Sequence, residues 1–235
     1  MWHAWLSLNR KQLLRDPVLF ISVVVPICLM LTVAKGVPLL EKITSFPISP
    51  HLPYLLSIFL LMTPITIGMM IGMFMLEERD EMMVMYLAVT PLGRGRYVVF
   101  RIGFPLLITM MLSVLLVIVF PAPSLHRWEV FLFLLTSALE TPLMALAMLA
   151  FASNRLEGLA VAKMLNFVLL PPFVLYFLPT KWNGLALIFP TYWISQGVLA
   201  LAEHQETFWG YWLGGTFYHV LLIWGLFRKF YGSME

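Results

Sequence analysis

The chain has 235 residues, of which 61% are hydrophobic and 11% charged, and its mean hydropathy is +0.89. A soluble domain carries about 25% charged residues, so a water-facing surface is excluded for most of this chain. The net charge of +3 with pI near 9.1 calls for no nucleic-acid partner, because the basic residues segregate along the sequence in a way that a membrane explains.

Residues 2–15 mix Trp2, Trp5, Leu6, Leu13 and Leu14 with Arg10, Lys11 and Arg15, the composition of an elbow helix lying in the interface. No short basic region, apolar core and small-residue cleavage site mark a removable signal peptide. Asp16-Pro17 punctuates the start of a first span. Apolar blocks long enough to cross a hydrocarbon core ~30 Å thick then predict six spans, at about 17–37, 54–76, 97–120, 129–152, 158–178 and 209–227. Pro38, Pro47, Pro50 and Pro53 make the first connection a loop, PAPSLHR fills 121–127, and SNRLEG turns tightly at 153–158. The segment 179–208 is apolar but broken by Gly184 and Pro190, which predicts two short half-helices dipping into the outer leaflet or lying on it. Trp209, Tyr211 and Trp212 open the last span and Arg228-Lys229 close it, aromatic and basic anchors at its two ends. The fold class is therefore all-α and polytopic, a single transmembrane domain over 1–235.

With the N-terminus in the cytoplasm, the inner side receives Arg10, Lys11, Arg15, Arg79, Arg94, Arg96, Arg101, Arg155, Lys163, Arg228 and Lys229. The outer side receives Lys35, Lys42, Arg127 and Lys181. This asymmetry predicts both termini cytoplasmic and contact with anionic lipid.

Enzyme chemistry leaves no recognisable mark. There is no HExxH, no GxSxG and no GxxxxGK[ST] phosphate loop. Glu77-Glu78 begins like an EExxxR protease motif, but the arginine position is Met82. The lone Cys28 forms no intrachain disulfide. The five histidines, His3, His51, His126, His204 and His219, fall in different segments, so neither catalytic residues nor metal ligands are assigned. Any ATP energy must come from a partner chain.

Residues 77–101, EERDEMMVMYLAVTPLGRGRYVVFR, hold the densest charge in the chain around an apolar stretch, 82–89, too short to cross a membrane. Pro91 ends that short helix by pushing Thr90 out of the α region, and Arg94, Arg96 and Arg101 follow. A stiff helix across the inner surface could act as a lever between a soluble partner and two spans; the plainer alternative is an amphipathic loop whose charges set topology. The acidic start, the Thr90-Pro91 turn and the basic exit resemble the ABC-2 type permeases, although Met82-Met83-Val84-Met85 stands where that family commonly has Gly-Thr-Leu-Glu. The resemblance also covers the elbow helix, the six spans and the broken segment before the last. It implies an exporter subunit in the plasma (inner) membrane of a bacterium, coupled through Glu77, Glu78, Arg79, Glu81, Tyr86, Thr90, Pro91, Arg94 and Arg96 to a separate ATPase that uses ATP and Mg2+. It further implies a homo- or heterodimer of permease subunits, with spans two and five lining the path of a hydrophobic or amphipathic cargo such as a drug, peptide or lipid. Rival readings are an intramembrane enzyme and a non-transporting sensor or assembly subunit.

Polar groups inside spans are expensive, at least ~2.5–3.5 kcal/mol for a charge near the centre. Glu140 sits midway along span four, and Lys163 and Asn166 enter span five, so a polar contact between spans four and five is expected, as a structural tie or as part of a substrate or proton path. Met62, Met69 and Met73, with Met70 and Met75, suit varied apolar cargo. With Phe167, Pro171, Pro172, Phe173 and Tyr176 of span five they are path candidates or ordinary packing surface.

Overall fold

A computed structural model describes residues 17–44, 47–82, 93–120 and 128–232. The expected elbow helix, most of the short helix at 82–89 with Tyr86, Thr90 and Pro91, and the 121–127 turn lie outside the described residues. The described chain is helical and contains no strand. It forms α1 (Pro17–Thr44), α2 (Leu52–Asp80), α3 (Gly93–Val119), α4 (Val130–Ala138), α5 (Glu140–Phe151), α6 (Arg155–Leu165), α7 (Leu170–Phe177), α8 (Asn183–Ala186), α9 (Pro190–Ala202) and α10 (Phe208–Gly232). Among the described residues, Leu52–Asp80, Tyr97–Val119, Val130–Phe151 and Arg155–Phe177 are long and apolar enough to cross a membrane. α1 and α10 are helices of 28 and 25 residues.

Each element ends where side-chain chemistry ends it. α2 stops at Met82, whose φ of 61° is left-handed, with its N–H bonded to the Arg79 carbonyl at 3.0 Å. α6 opens on a capping box: the Asn154 side chain accepts from the Glu157 N–H at 2.9 Å, and Glu157 accepts from the Ser153 N–H at 2.7 Å. α9 closes in a Schellman turn, the Gln205 N–H reaching the Ala200 carbonyl and the His204 N–H that of Leu201, with His204 at φ 58°. A non-glycine residue in that region is strained by roughly 1–2 kcal/mol. Met82→Gly is accordingly expected to stabilise the protein by about 0.5–1 kcal/mol, read as a raised thermal midpoint in detergent; an unchanged or lowered midpoint would show that the turn is unstrained.

Two long helices are broken at prolines, and the bundle repairs the second break. Pro142 cannot donate to the Ala138 carbonyl, and the chain tightens there, the Leu139 N–H bonding Thr136 O at 3.1 Å, which separates α4 from α5. Pro171 and Pro172 likewise deprive the carbonyls of Phe167 and Val168. The Leu170 N–H turns back to Phe167 O through the 3₁₀ segment Asn166–Leu169, and the Thr191 hydroxyl donates to Val168 O. In lipid an unpaired carbonyl would have no water to take it, so α9 supplies what span five lacks.

The prolines thus explain where α9 sits. The half-helices were expected at the outer leaflet. α8 and α9 do form around Gly184 and Pro190, but Pro190, Thr191, Tyr192, Ile194, Ser195, Gly197, Val198, Leu199, Ala200 and Leu201 of α9 are buried. This half-helix packs within the bundle against α2, α4, α7 and α10. Three glycines let it in. A Cβ on Gly197 would stand 2.0 Å from the Phe133 ring, and those on Gly214 and Gly215 would stand 2.7 and 2.8 Å from Trp193.

The most extensive helix contact joins α2 and α5. Its centre is Gly68-x-x-x-Gly72, a small-residue spacing that brings backbones together in lipid. A Cβ at Gly68 would lie 2.5 Å from the Thr141 carbonyl oxygen, and one at Gly72 would lie 2.6 Å from Met148 Cβ.

Candidate functional site

Side-chain contacts fix which helix ends share a side. Glu78 of α2 pairs with Arg101 of α3 at 2.6 Å, and the Tyr97 hydroxyl donates to the same carboxylate. One residue back, Glu77 meets Arg155 at 2.5 Å, while Asp80 accepts from the Arg155 N–H at 2.9 Å. The Arg79 guanidinium donates to the carbonyl of Ala152, and the Lys229 ammonium lies 3.6 Å from the Phe151 ring centre. The end of α2, the start of α3, the α5–α6 turn and the end of α10 therefore meet at one charged end. At the other end His51 bonds the Tyr176 hydroxyl at 3.0 Å, and Trp128 packs on Trp209. This is the up-and-down alternation that the hydropathy pattern predicts.

The charged end is the first candidate site. Its parts are not equivalent, because the Glu78–Arg101 side chains are only 16% and 9% exposed, whereas Glu77 and Arg155 are 34% and 54% exposed. Burial makes the first pair hard to lose and the second nearly free to break. Arg101 turns into the protein, where the Glu78 carboxylate, itself held by the Tyr97 hydroxyl, compensates its charge. Of the expected coupling residues, Glu77, Glu78 and Arg79 are engaged within the chain, and Glu81 is exposed. The side chains of Arg94 and Arg96, like Tyr86, Thr90 and Pro91, lie outside the described residues.

The second candidate site is in the bundle centre. Glu140 lies ten residues from Val130, about 15 Å along the span, and His219 lies eleven from Phe208, about 16 Å along its helix. Both are fully buried, and Glu140 Oε1 is 3.0 Å from His219 Nε2. The expected contact of Glu140 with Lys163 and Asn166 does not form: both of those residues are exposed on the segment Arg155–Phe177, and the partner comes from α10. Helix rotation decides this, since Glu140 projects toward α10 while span five packs its opposite face outward. Around the pair, Thr136 shares a hydrogen bond with Thr216 at 2.9 Å, and the Thr141 hydroxyl donates to Thr109 at 3.1 Å.

The path candidates are dispersed. Met70 and Met75 are core residues; Met69 and Met73 are half-buried against the core. Met62 lines a narrow groove with Pro26, Met30, Phe59, Thr63, Thr66 and Leu116. Pro171 and Pro172 are buried, and Phe167, Phe173 and Tyr176 are exposed on span five. The sequence reading missed His219, the Gly68–Gly72 pair and Thr191. Only Gly68-x-x-x-Gly72 left a sequence signal. Among the described residues no cluster of His, Cys, Asp and Glu could hold a metal ion.

Residues 9–227 match the family described as fluoroquinolones export permease protein Rv2686c-like. The chain belongs to that family. It is 27% identical over 226 residues to the fluoroquinolones export permease protein Rv2686c of Mycobacterium tuberculosis strain H37Rv, a match covering 92% of this chain and 88% of that protein. The same figures hold for protein MT2760 of strain CDC 1551. No solved structure matches the chain. Apolar helices and this membership make it a multi-pass membrane protein that serves as a transport subunit.

Proposed function

We propose that this chain is the permease half of an ATP-binding cassette exporter, a six-span subunit with both termini in the cytoplasm of a bacterium. Two copies, or this chain and a related one, would form the path, and a separate ATPase would dock below. The observation that carries the reading is the unfinished state of span five. Only 17% of its apolar window is buried, against 39% to 72% for the other three. Exposed Asn166 lies about 16 Å along it, near mid-membrane. An amide facing lipid at that depth is costly, so this face suits a second subunit or a wetted path between two. Lys163, one turn nearer the inner side, favours the same arrangement.

The charged end supports the position of the ATPase. α2 ends in the acidic run Glu77, Glu78, Asp80 and Glu81 and leads into residues 83–92; that acidic start and the Thr90-Pro91 turn resemble the docking helix of ABC-2 type permeases. Contacts from Glu77, Arg79 and Asp80 to the α5–α6 turn would pass a push on that helix to the start of span five. The relatives' names point to a fluoroquinolone-like drug, an aromatic amphipathic molecule, as the cargo. The exposed aromatics of span five, Phe167, Phe173 and Tyr176, would suit it.

The test is purification from the native membrane in mild detergent, with co-purifying chains identified by mass spectrometry and drug accumulation measured in the same cells. A chain carrying a Walker phosphate loop should come down with the wild type. Glu81→Lys with Arg94→Glu should reduce its recovery about tenfold, equivalent to ~1.4 kcal/mol, and raise fluoroquinolone accumulation. Glu81 replaces Glu78 in this test because Glu78 holds Arg101 and Tyr97. Absence of any nucleotide-binding partner, together with drug accumulation indifferent to ATP depletion, would overturn the proposal.

A further inference from the structure

The Glu140–His219 pair has a hydrogen count that the geometry dictates. His219 Nδ1 lies 2.6 Å from the carbonyl oxygen of Gly215. A carbonyl only accepts, so Nδ1 carries a hydrogen. The other ring nitrogen, Nε2, is 3.0 Å from Glu140 Oε1. If the imidazole is neutral, Nε2 has a lone pair and the carboxyl must donate; if the imidazole is charged, Nε2 donates to a carboxylate. Either way one hydrogen lies on the Oε1–Nε2 line.

Glu140 Oε2 decides between the two. It is buried and, among the described residues, has no hydrogen-bond partner. In the ionised arrangement that oxygen would share a full negative charge in a low-dielectric interior with nothing to receive it. In the neutral arrangement it is an ordinary carbonyl oxygen, and no charge is buried at all. Buried ion pairs persist where every remaining lone pair is satisfied, a condition that Oε2 fails.

We propose that Glu140 and His219 form a proton-binding site at the centre of the membrane, holding one proton as a carboxylic acid bonded to a neutral imidazole, and that this proton latches span six to span four. Removing it would leave a carboxylate facing an imidazole lone pair. Adding one would leave an imidazolium facing a carboxylic acid. Removal loses the Oε1–Nε2 bond, since neither atom then carries a hydrogen, and addition strands an uncompensated positive charge in the bundle.

The surroundings offer no substitute for the partner. α5 and α10 pack against α2, α3, α4, α6 and α9. On α2 the titratable groups are Tyr54 at one end and Glu77, Glu78, Arg79 and Asp80 at the other; on α3 they are Arg94, Arg96, Tyr97 and Arg101, all in its first three turns. α4 is preceded by Glu129, α6 brings Arg155, Glu157 and Lys163, and α9 brings Tyr192. α10 itself adds Tyr211, Tyr218, Arg228, Lys229 and Tyr231. Arg101 is eight residues, about 12 Å, along α3 from Thr109, which touches Thr141 beside Glu140.

The experiment uses the full-length protein in lipid or mild detergent and reads protonation and stability, neither of which depends on the transport reading. Infrared spectra at neutral pH should show a protonated carboxyl C=O band that disappears in Glu140→Gln. Because the glutamine amide can donate to Nε2 as the acid does, Glu140→Gln should keep the thermal midpoint within about 2 °C of wild type, and Glu140→Ala should lower it by about 5 °C or more. Lack of the band, or a Glu140→Gln midpoint as low as that of Glu140→Ala, would overturn the proposal in favour of an ion pair.

Discussion

Gly68→Ala should lower the stability of the purified protein by about 2–3 kcal/mol, the range expected when a methyl is forced into a packed interface. The added Cβ would sit 2.5 Å from the backbone oxygen of Thr141 and 2.8 Å from Met144 Cβ. Backbone cannot rotate aside as a side-chain tip can, so α2 and α5 must separate. These helices carry both candidate sites: α2 ends in the charged cluster, and α5 starts at Glu140. A shift between them should therefore disturb transport as well as stability. The measurement is the thermal midpoint in detergent, expected to fall by about 5–10 °C. Gly103→Ala is the control, since a Cβ there meets nothing within 4 Å and alanine gains about 1 kcal/mol of helix propensity. Equal midpoints for Gly68→Ala and wild type would mean that α2 and α5 are further apart than described.

Arg101→Met should be the second severe change, destabilising by about 2–3 kcal/mol, somewhat less than a fully buried pair because Glu78 remains 16% exposed. The loss is the stranding of Glu78, which keeps only the Tyr97 hydroxyl. Glu78→Gln in the same background should recover much of it, and a double-mutant cycle should return a coupling of at least about 1 kcal/mol. Arg155→Ala, at the exposed pair, should change stability by less than about 1 kcal/mol. If Arg101→Met and Arg155→Ala prove equally mild, the charged end is a solvated cluster and the hierarchy of burial described above is wrong. Under the exporter reading the two arginines also separate by function: Arg155→Ala should spare the fold yet weaken the link from α2 to span five.

Much of the architecture was legible because hydropathy is a local, one-dimensional quantity. Lipid demands a run of about twenty apolar residues, and such runs, with their prolines and terminal charges, mark helices wherever they occur. Thus the break at Pro190 and the turn at 153–158 both stand in the sequence. So does the gathering of Glu77, Glu78 and Arg79 at one end, since a charged cluster between apolar spans has nowhere else to go. What they hold on to did not stand there.

The sequence by itself thus determined an all-helical membrane chain and the alternation of its long helices, but not the end of α1, which runs through Pro38 to Thr44 where a loop was expected. Only the tertiary structure decided that Glu140 meets His219 rather than Asn166, that Thr191 completes span five, that α9 is buried, and that Gly68 and Gly72 join α2 to α5. The physical reason is rotation. Spans that are apolar on every face carry no stripe to show which side turns inward, so azimuth is set by close packing between helices distant in sequence. A single polar atom, placed by that rotation, then finds a partner 79 residues away.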